Sequence, residues 1–530
     1  MTTNKKTNAT LPLLFSIAVA IGMLIGYKLH SNMPMTKSFF SSKQKNNLDE
    51  VLDIIHKRYV DSIVSDSINQ ITIQTVLSSL DPHSNFIPVA DLQEMNEDLE
   101  GRFEGIGIEF NIFNDTVHVL SVMKNGPAEN ARLEVGDRII SVNDSSAVGL
   151  TNSDQFRKWV KGPGGTPVNL ELVRDGSKKF QQVIRGSIPI TSIDAHYMID
   201  KEAGYIRLNR FSGNTYKEFM QAMEYLKSLG LKKLILDLRD NGGGILEESV
   251  DIADEFISGD KLIVYTEGVH NPKKEYRAKR PGIFEEGEVI ILMNEGSASA
   301  SEVLAGALQD HDRAQIVGRR SFGKGLVQEQ FSLSDGSALR LTTARYYTPL
   351  GRSIQKSYEA GTEAYHMEAL TRMHGNPVKK EADSLYASRA KSYKTPKGKI
   401  LYDGGGIMPD VVKDRDPVLY DSTLSQLFTD NLLGNFAYRR YIADKGKIKE
   451  FKTHEAFLEK FDSESRLIPE LFQFGKESGR QLKPLSKSGN AYIANRIKAQ
   501  IARIAWDESA FFYILNSEDL VFQEAIRLLQ

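Results

Sequence analysis

The chain has 530 residues, 41% of them hydrophobic and 26% charged, the composition of globular domains and not of disordered sequence. That length exceeds what one hydrophobic core supports and divides into several domains. Lys+Arg 67 against Asp+Glu 69 leaves a formal charge of −2, which gives no footprint for nucleic acid, and the absence of cysteine excludes disulfides, thiolate metal sites, a cysteine nucleophile and a lipidated cysteine together.

Lys5 and Lys6 precede an uncharged apolar run over 11–27, just long enough to cross a hydrocarbon core of about 30 Å. A signal peptide and a signal anchor both fit. No small-x-small cleavage pattern follows Gly26, so residues 1–30 are expected to form a cytoplasmic start and an uncleaved anchor, with everything after Lys28 exported. The expected location is the cell envelope: the inner membrane, with the bulk of the chain in the periplasm or another exported compartment.

Over 45–85 the apolar residues Val51, Leu52, Ile54, Ile55 and Tyr59, then Ile71, Ile73, Val76, Leu77 and Leu80, recur at helical spacing and predict short helices ending at Asp81-Pro82. From 88 to 185 the texture changes to short alternating runs punctuated by Gly126-Pro127, Gly136-Asp137 and Asp175-Gly176, which predicts a small β domain. Strand-like runs alternating with helical ones over 186–415 predict an α/β core. Within it the polar stretch 357–399 reads as an insertion or mobile loop. Residues 416–530 are helix-like, with apolar stripes at Leu424, Leu427 and Phe428 and at Ile497, Ile501 and Ile504, and carry no assignable chemistry.

Three segments carry possible chemistry. Residues 289–308 read as a buried strand, a turn of small residues and a helix, a junction whose free N–H groups and dipole stabilise an oxyanion. Ser299 there is a candidate nucleophile, but Ser299-x-x-Glu302 is also a capping box. Gly318 to Gly325 nearly matches a phosphate-binding loop, except that Gly325 stands where a magnesium-ligating hydroxyl belongs and a strand, not a helix, is predicted to follow. Lys324, set among glycines and apolar residues, can instead be desolvated and accept a proton, or it can be an ordinary turn lysine. The third segment, 234–244, is a buried strand entering the turn Asn241-Gly-Gly-Gly, whose N–H groups can donate to an oxyanion or serve no ligand at all.

Asp237-Leu-Arg-Asp-Asn-Gly-Gly-Gly, Gly296-Ser-Ala-Ser-Ala-Ser-Glu, Gly323-Lys-Gly-Leu-Val-Gln, Ala344-Arg-Tyr-Tyr-Thr-Pro-Leu-Gly-Arg-Ser-Ile and Gly406-Ile-Met-Pro-Asp follow one another in the chain. In order and spacing they resemble the C-terminal processing peptidases, or tail-specific proteases, and the resemblance covers 51–412. It implies a crotonase-like α/β serine peptidase core with Ser299 as nucleophile, Lys324 as general base and Gln328 orienting the lysine. The oxyanion donors it implies are the N–H groups of Ala300 and of Gly243. Phe103-Glu-Gly-Ile-Gly-Ile resembles the carboxylate-binding loop of PDZ domains, which assigns tail binding to Gly105, Ile106, Gly107 and Ile108; Arg132 stands where those domains usually carry glycine. No metal or cofactor is implied, the partners are proteins or peptides with unstructured C-termini, and self-association is left open.

Two other readings compete. A catalytically dead envelope scaffold could lose Ser299, Lys324 or Gln328, and all three are present. A Ser-His-Asp hydrolase would need a histidine at the site, and His311 lies too far along the helix that Ser299 begins. Phe211 and Phe322 are candidates for shaping a specificity pocket.

Overall fold

A computed structural model of the chain describes residues 10–32, 47–61, 65–113, 115–373, 390–428, 431–461 and 464–530. It divides into two compact units, Met1–Ile73 and Gln74–Gln530.

In the first unit the apolar run forms a helix over Thr10–Asn32 that leaves Leu14, Phe15, Met23 and Leu24 exposed. Among the described residues, however, no helix is long and apolar enough to cross a membrane. Lys5 and Lys6 lie outside the described residues. A second helix, Asn47–Arg58, follows, and the expected helix before Asp81 is Ser65–Ser78.

In the second unit the α/β core is built on a six-stranded sheet. Its spatial order is Ile193–Met198, Ala203–Leu208, Lys233–Asp237, Glu288–Met293, Gln315–Gly318 and Val411–Val412. The first pair is antiparallel and the rest are parallel, with Leu236 beside Ile291 and Val317 beside Val411. Parallel strands are buried on both faces, which is why 234–236 and 289–293 are continuously apolar instead of alternating. One face packs on helices Thr215–Ser228, Leu246–Asp254 and Ala300–Asp310. The other is covered by the last helix, Leu520–Leu529, through Val521, Phe522, Ala525 and Leu529. Of these, Val521, Phe522 and Leu529 each contribute about 1.5–3 kcal/mol relative to exposure.

A second, antiparallel sheet joins Ala338–Tyr347 to Leu326–Ser332, Leu262–Glu267 and the short strand Asn85–Ile87. The end of the segment expected to be helical therefore supplies a strand to the peptidase core. Residues 326–332 are a strand, as expected for a sequence that is not a phosphate-binding loop.

The β domain is a sheet of Ile108–Phe113, Thr116–Val122, Arg138–Val142, Pro167–Arg174 and Ser177–Ile184, with helix Ser153–Val160 closing its own core. Ile108–Phe113 is an edge strand. Arg132, at the position where glycine was expected, has φ 58°, and the Arg174 guanidinium donates to its carbonyl at 2.8 Å. The left-handed turn is thus kept without glycine.

The C-terminal helices from Leu432–Ile448 to Glu508–Asn516 share a separate core. They also grip the β domain: Asn111 Nδ2 donates to Asn435 Oδ1 at 2.7 Å, Phe113 stacks on Tyr438, and Arg503 pairs with Glu109.

The insertion departs from expectation. Residues 362–373 are a helix, Thr362–Met373, held because Glu368 gathers Lys356, Arg320 and Arg372 and because Arg372 donates to the carbonyls of Arg320 and Ser321. The part of the expected loop over 374–389 lies outside the described residues.

Candidate active site

Strand Glu288–Met293 leads through a short turn into helix Ala300–Asp310, every residue of which is buried. Ser299 sits between them with φ 54° and ψ −114°. A non-glycine residue held there costs about 1–3 kcal/mol and persists only if its surroundings fix it. They do: Glu302 accepts the Ser299 N–H at 2.8 Å, Asn241 O accepts the Ala298 N–H at 2.9 Å, and the Tyr346 hydroxyl reaches the Ser299 carbonyl at 3.1 Å. Of the capping box foreseen for Ser299 and Glu302, the Glu302 half is formed through the Ser299 N–H, while the Ser299 side chain makes no cap hydrogen bond. The Ser299 hydroxyl is therefore not spent on capping the helix that it heads.

Glu302 does more than cap. Its second role is to accept the N–H groups of Gly323 and Lys324 at 2.7 and 2.9 Å and the Ser321 hydroxyl at 2.5 Å. One buried carboxylate thus ties the serine turn to the lysine turn. Burial pushes it up to about 7, while the four donors favour its charged form.

Lys324 Nζ donates to Gln328 Oε1 at 2.9 Å, and Gln328 Nε2 donates to the His83 carbonyl at 2.6 Å. The loop bearing His83 is itself fixed by Asp81, which accepts the N–H groups of His83 and Ser84 and the Ser84 hydroxyl. Burial lowers the Lys324 pKa below that of an ordinary lysine, and Arg340 adds to the shift; Glu302 and Asp81 oppose it. Burial and the Lys324 charge push His83 down to about 3, so it is neutral beside the amine, with Nε2 2.8 Å from the Tyr365 hydroxyl. The Tyr346 hydroxyl also contacts the Lys324 carbonyl, bridging it to Ser299.

Strand Lys233–Asp237 delivers the glycine turn. Burial alone would raise the Asp237 carboxyl, but Arg239 and Arg207 hold it well below the usual range, and the resulting ion pairs fix the strand end. Asn241 Nδ2 donates to the Leu208 carbonyl. A Cβ on Gly243, which has φ +96°, would stand 2.7 Å from Ser299 Cβ and 2.9 Å from Ala300 N, so only glycine lets the turn come this close.

Ser299, Ala300, Gly243, Lys324 and Gln328 line one cleft of about 980 Å³. The Ala300 N–H belongs to a helix's first turn, where no intrahelical acceptor exists. The Gly243 N–H is donated to Asn241 Oδ1 at 2.9 Å, so as an oxyanion donor it must first leave that side chain. Phe211 and Phe322 are not among the residues lining the cleft. Phe211 is buried behind the glycine turn, where its N–H bonds the Gly243 carbonyl, and Phe322 lies under the Lys356 ammonium and against Tyr365. The His311 ring is turned to the Leu262 carbonyl.

Gly105, Ile106, Gly107 and Ile108 meet instead at a smaller cavity of about 240 Å³ in the β domain. Gly107 has φ +78°, and its carbonyl accepts the Met123 N–H. Sequence reasoning missed Asp81, His83, Tyr346 and Tyr365. Tyr346 stands inside the Ala344-Arg-Tyr-Tyr segment without its role having been read, and His83 carries no local signal, since it and Gln328 are 245 positions apart.

Residues 202–363 match peptidase family S41, 118–174 match the PDZ domain, and 423–507 match a family of unknown function. The "Carboxy-terminal-processing protease" of Bartonella bacilliformis is 34% identical over 319 residues, covering 59% of this chain and 73% of that one. The chain belongs to peptidase family S41. The "Probable CtpA-like serine protease" of Staphylococcus epidermidis is 35% identical over 60% of this peptidase and 65% of its own length. A solved photosystem II D1 C-terminal processing protease is 28% identical, covering 58% of the peptidase and 89% of that chain at a TM-score of 0.34. The peptidase is a C-terminal processing serine protease carrying a PDZ domain, and the dead-scaffold reading is set aside.

Proposed function

We propose that the peptidase cleaves exported proteins near their C-termini with Ser299 and Lys324 as a catalytic dyad, the PDZ loop receiving the tail. The observation that carries this reading is the desolvated Lys324 amine, held by Gln328 in the cleft where the strained Ser299 heads a buried helix. The neutral amine takes the Ser299 proton as Oγ attacks the peptide carbonyl carbon, and the resulting ammonium returns a proton to the departing amine. Water then resolves the acyl-enzyme, with Lys324 again as base. The Ala300 N–H, joined by Gly243 once it leaves Asn241, stabilises the oxyanion. Gln328, braced by His83, keeps the amine aimed.

Tail recognition rests on the open edge of Ile108–Phe113 and the glycines before it, where a peptide can add as a strand and its carboxylate can reach backbone N–H groups. Attachment at the inner membrane is favoured by the exposed apolar side chains of Thr10–Asn32, and export of the remainder rests on the charge pattern of the sequence alone. Carbonate extraction of the full chain against a chain lacking 1–32 checks that placement.

The deciding experiment incubates the enzyme with an unfolded protein and identifies the released tails by mass spectrometry. Cleavage abolished in Ser299→Ala and in Lys324→Ala supports the dyad, and full activity in Lys324→Ala overturns it. A substrate whose cleavage and binding are unchanged by C-terminal amidation overturns the tail reading alone.

A further inference from the structure

The cavity at the PDZ carboxylate loop is not walled by the PDZ domain alone. Helix Val89–Glu100, which leads from the core strand Asn85–Ile87 into the PDZ domain, lends it Glu94, Glu97 and Asp98. From the opposite side comes Lys161, the residue that ends helix Ser153–Val160. Its Nζ lies 3.0 Å from Glu97 Oε2 and 5.6 Å from the centre of the Phe103 ring, at the start of the carboxylate loop. The pair is sheltered, with side chains 33% and 15% exposed, and Gln93 Nε2 holds the other Glu97 oxygen at 3.0 Å. Two cations line this cavity, Lys161 and Arg157, the latter paired with Asp154 on its own helix, so a carboxylate from outside the PDZ domain already occupies Lys161 beside the loop expected to hold a carboxylate.

We propose that Lys161 is the cationic partner of the substrate's terminal carboxylate and that Glu97 is a built-in competitor which an incoming tail displaces. The inference rests on the tail-recognition reading above and adds the side chains that set its affinity. Two carboxylates beside one ammonium repel each other, so the substrate's binding is reduced by whatever the Glu97 pair is worth. The helix that bears Glu97 also carries Leu99, which lines the catalytic cleft, and Asn96, whose Oδ1 accepts from Gln330 Nε2 on the strand that bears Gln328.

The test measures fluorescence anisotropy of a labelled peptide with an apolar C-terminus, as free acid and as amide, on the full chain carrying Ser299→Ala. Glu97→Gln is expected to tighten free-acid binding roughly fivefold and leave the amide unchanged. Lys161→Gln is expected to remove most of the acid-over-amide preference, a loss of roughly tenfold. Unchanged or weaker free-acid binding in Glu97→Gln overturns the proposal, as does a preference that survives Lys161→Gln. If Lys161→Gln does not fold, judged by turnover of a short peptide in the Ser299 enzyme, the Glu97→Gln arm decides alone. A native chain that does not distinguish acid from amide fails the tail reading itself, which separates that failure from an error about Lys161 and Glu97.

Discussion

The catalytic cleft and the PDZ groove sit in one chain but are fastened very differently. In the cleft a single buried carboxylate, Glu302, receives four donors from two turns, and Tyr346 bridges the same turns from the other side. At the groove, the linker helix meets the PDZ helix through the Lys161–Glu97 ion pair, partly open to water. The first arrangement resists change because each group is held by several others; the second includes a partly exposed ion pair that, as proposed above, one competing anion replaces. Holding strained Ser299 requires a rigid surround, whereas the tail receptor proposed for the groove requires a contact that exchanges easily.

The sharpest way to break this contrast is to remove the reacting groups. Ser299→Ala and Lys324→Ala should each lower turnover of an unfolded protein by on the order of 10³-fold or more, while the melting temperature stays close to that of the parent. Next comes the fastening itself. In Glu302→Gln an amide NH₂ replaces an oxygen that accepts two hydrogens, so urea unfolding should register a loss of about 2–3 kcal/mol, with turnover falling too. A neutral outcome would mean that the cleft is not held by this residue.

A smaller effect concerns pH. Lys324 acts as a base only when neutral, and burial and then Arg340 lower its pKa, so activity should rise as pH rises through a value below that of free lysine. Removing a lowering influence must move that limb to higher pH. Arg340→Gln is expected to shift it in the alkaline direction by less than about one unit in a pH–kcat/KM profile. A shift toward acid would contradict the assignment of the limb to Lys324. The smallest effect belongs to the groove. Gly107, at φ +78° with Ile188 3.4 Å from where a Cβ would be, should tolerate no large side chain. Gly107→Trp should slow cleavage of tail-bearing proteins several-fold and leave short peptides, which bypass the groove, nearly untouched.

Legibility in the sequence divides along the same line as locality. Ser299 and Lys324 stand in short segments whose glycines and apolar flanks announce a turn beside a strand or helix, so their neighbourhood could be read, whereas Gln328 was named only through the resemblance to the C-terminal processing peptidases. The strands at 234–237 and 289–293 announced themselves by unbroken apolar runs. His83, Tyr346 and Tyr365 could not be found, because each acts through a partner that the fold alone brings near. The helix Thr362–Met373 was hidden for a related reason. Its polar side chains look solvated in sequence, and only the assembled core shows Lys356, Arg320 and Arg372 converging on Glu368. Phe322 misled in the opposite sense, since its apolar ring serves the underside of the lysine turn and not the cleft.

Strand Ile108–Phe113 is held from both sides. Ile108, Phe110 and Ile112 pack into the PDZ core, while Glu109, Asn111 and Phe113 are taken by Arg503, Asn435 and Tyr438 of the C-terminal helices. Because neighbours on a strand face opposite ways, sliding it by one position would exchange the two sets, so its register is locked. A tail that added to its free edge would inherit that register, each residue advancing about 3.3 Å from the anchored end. The strand would then work as a graduated rule, with the distance from a protein's last residue to its cut site marked off in whole residues.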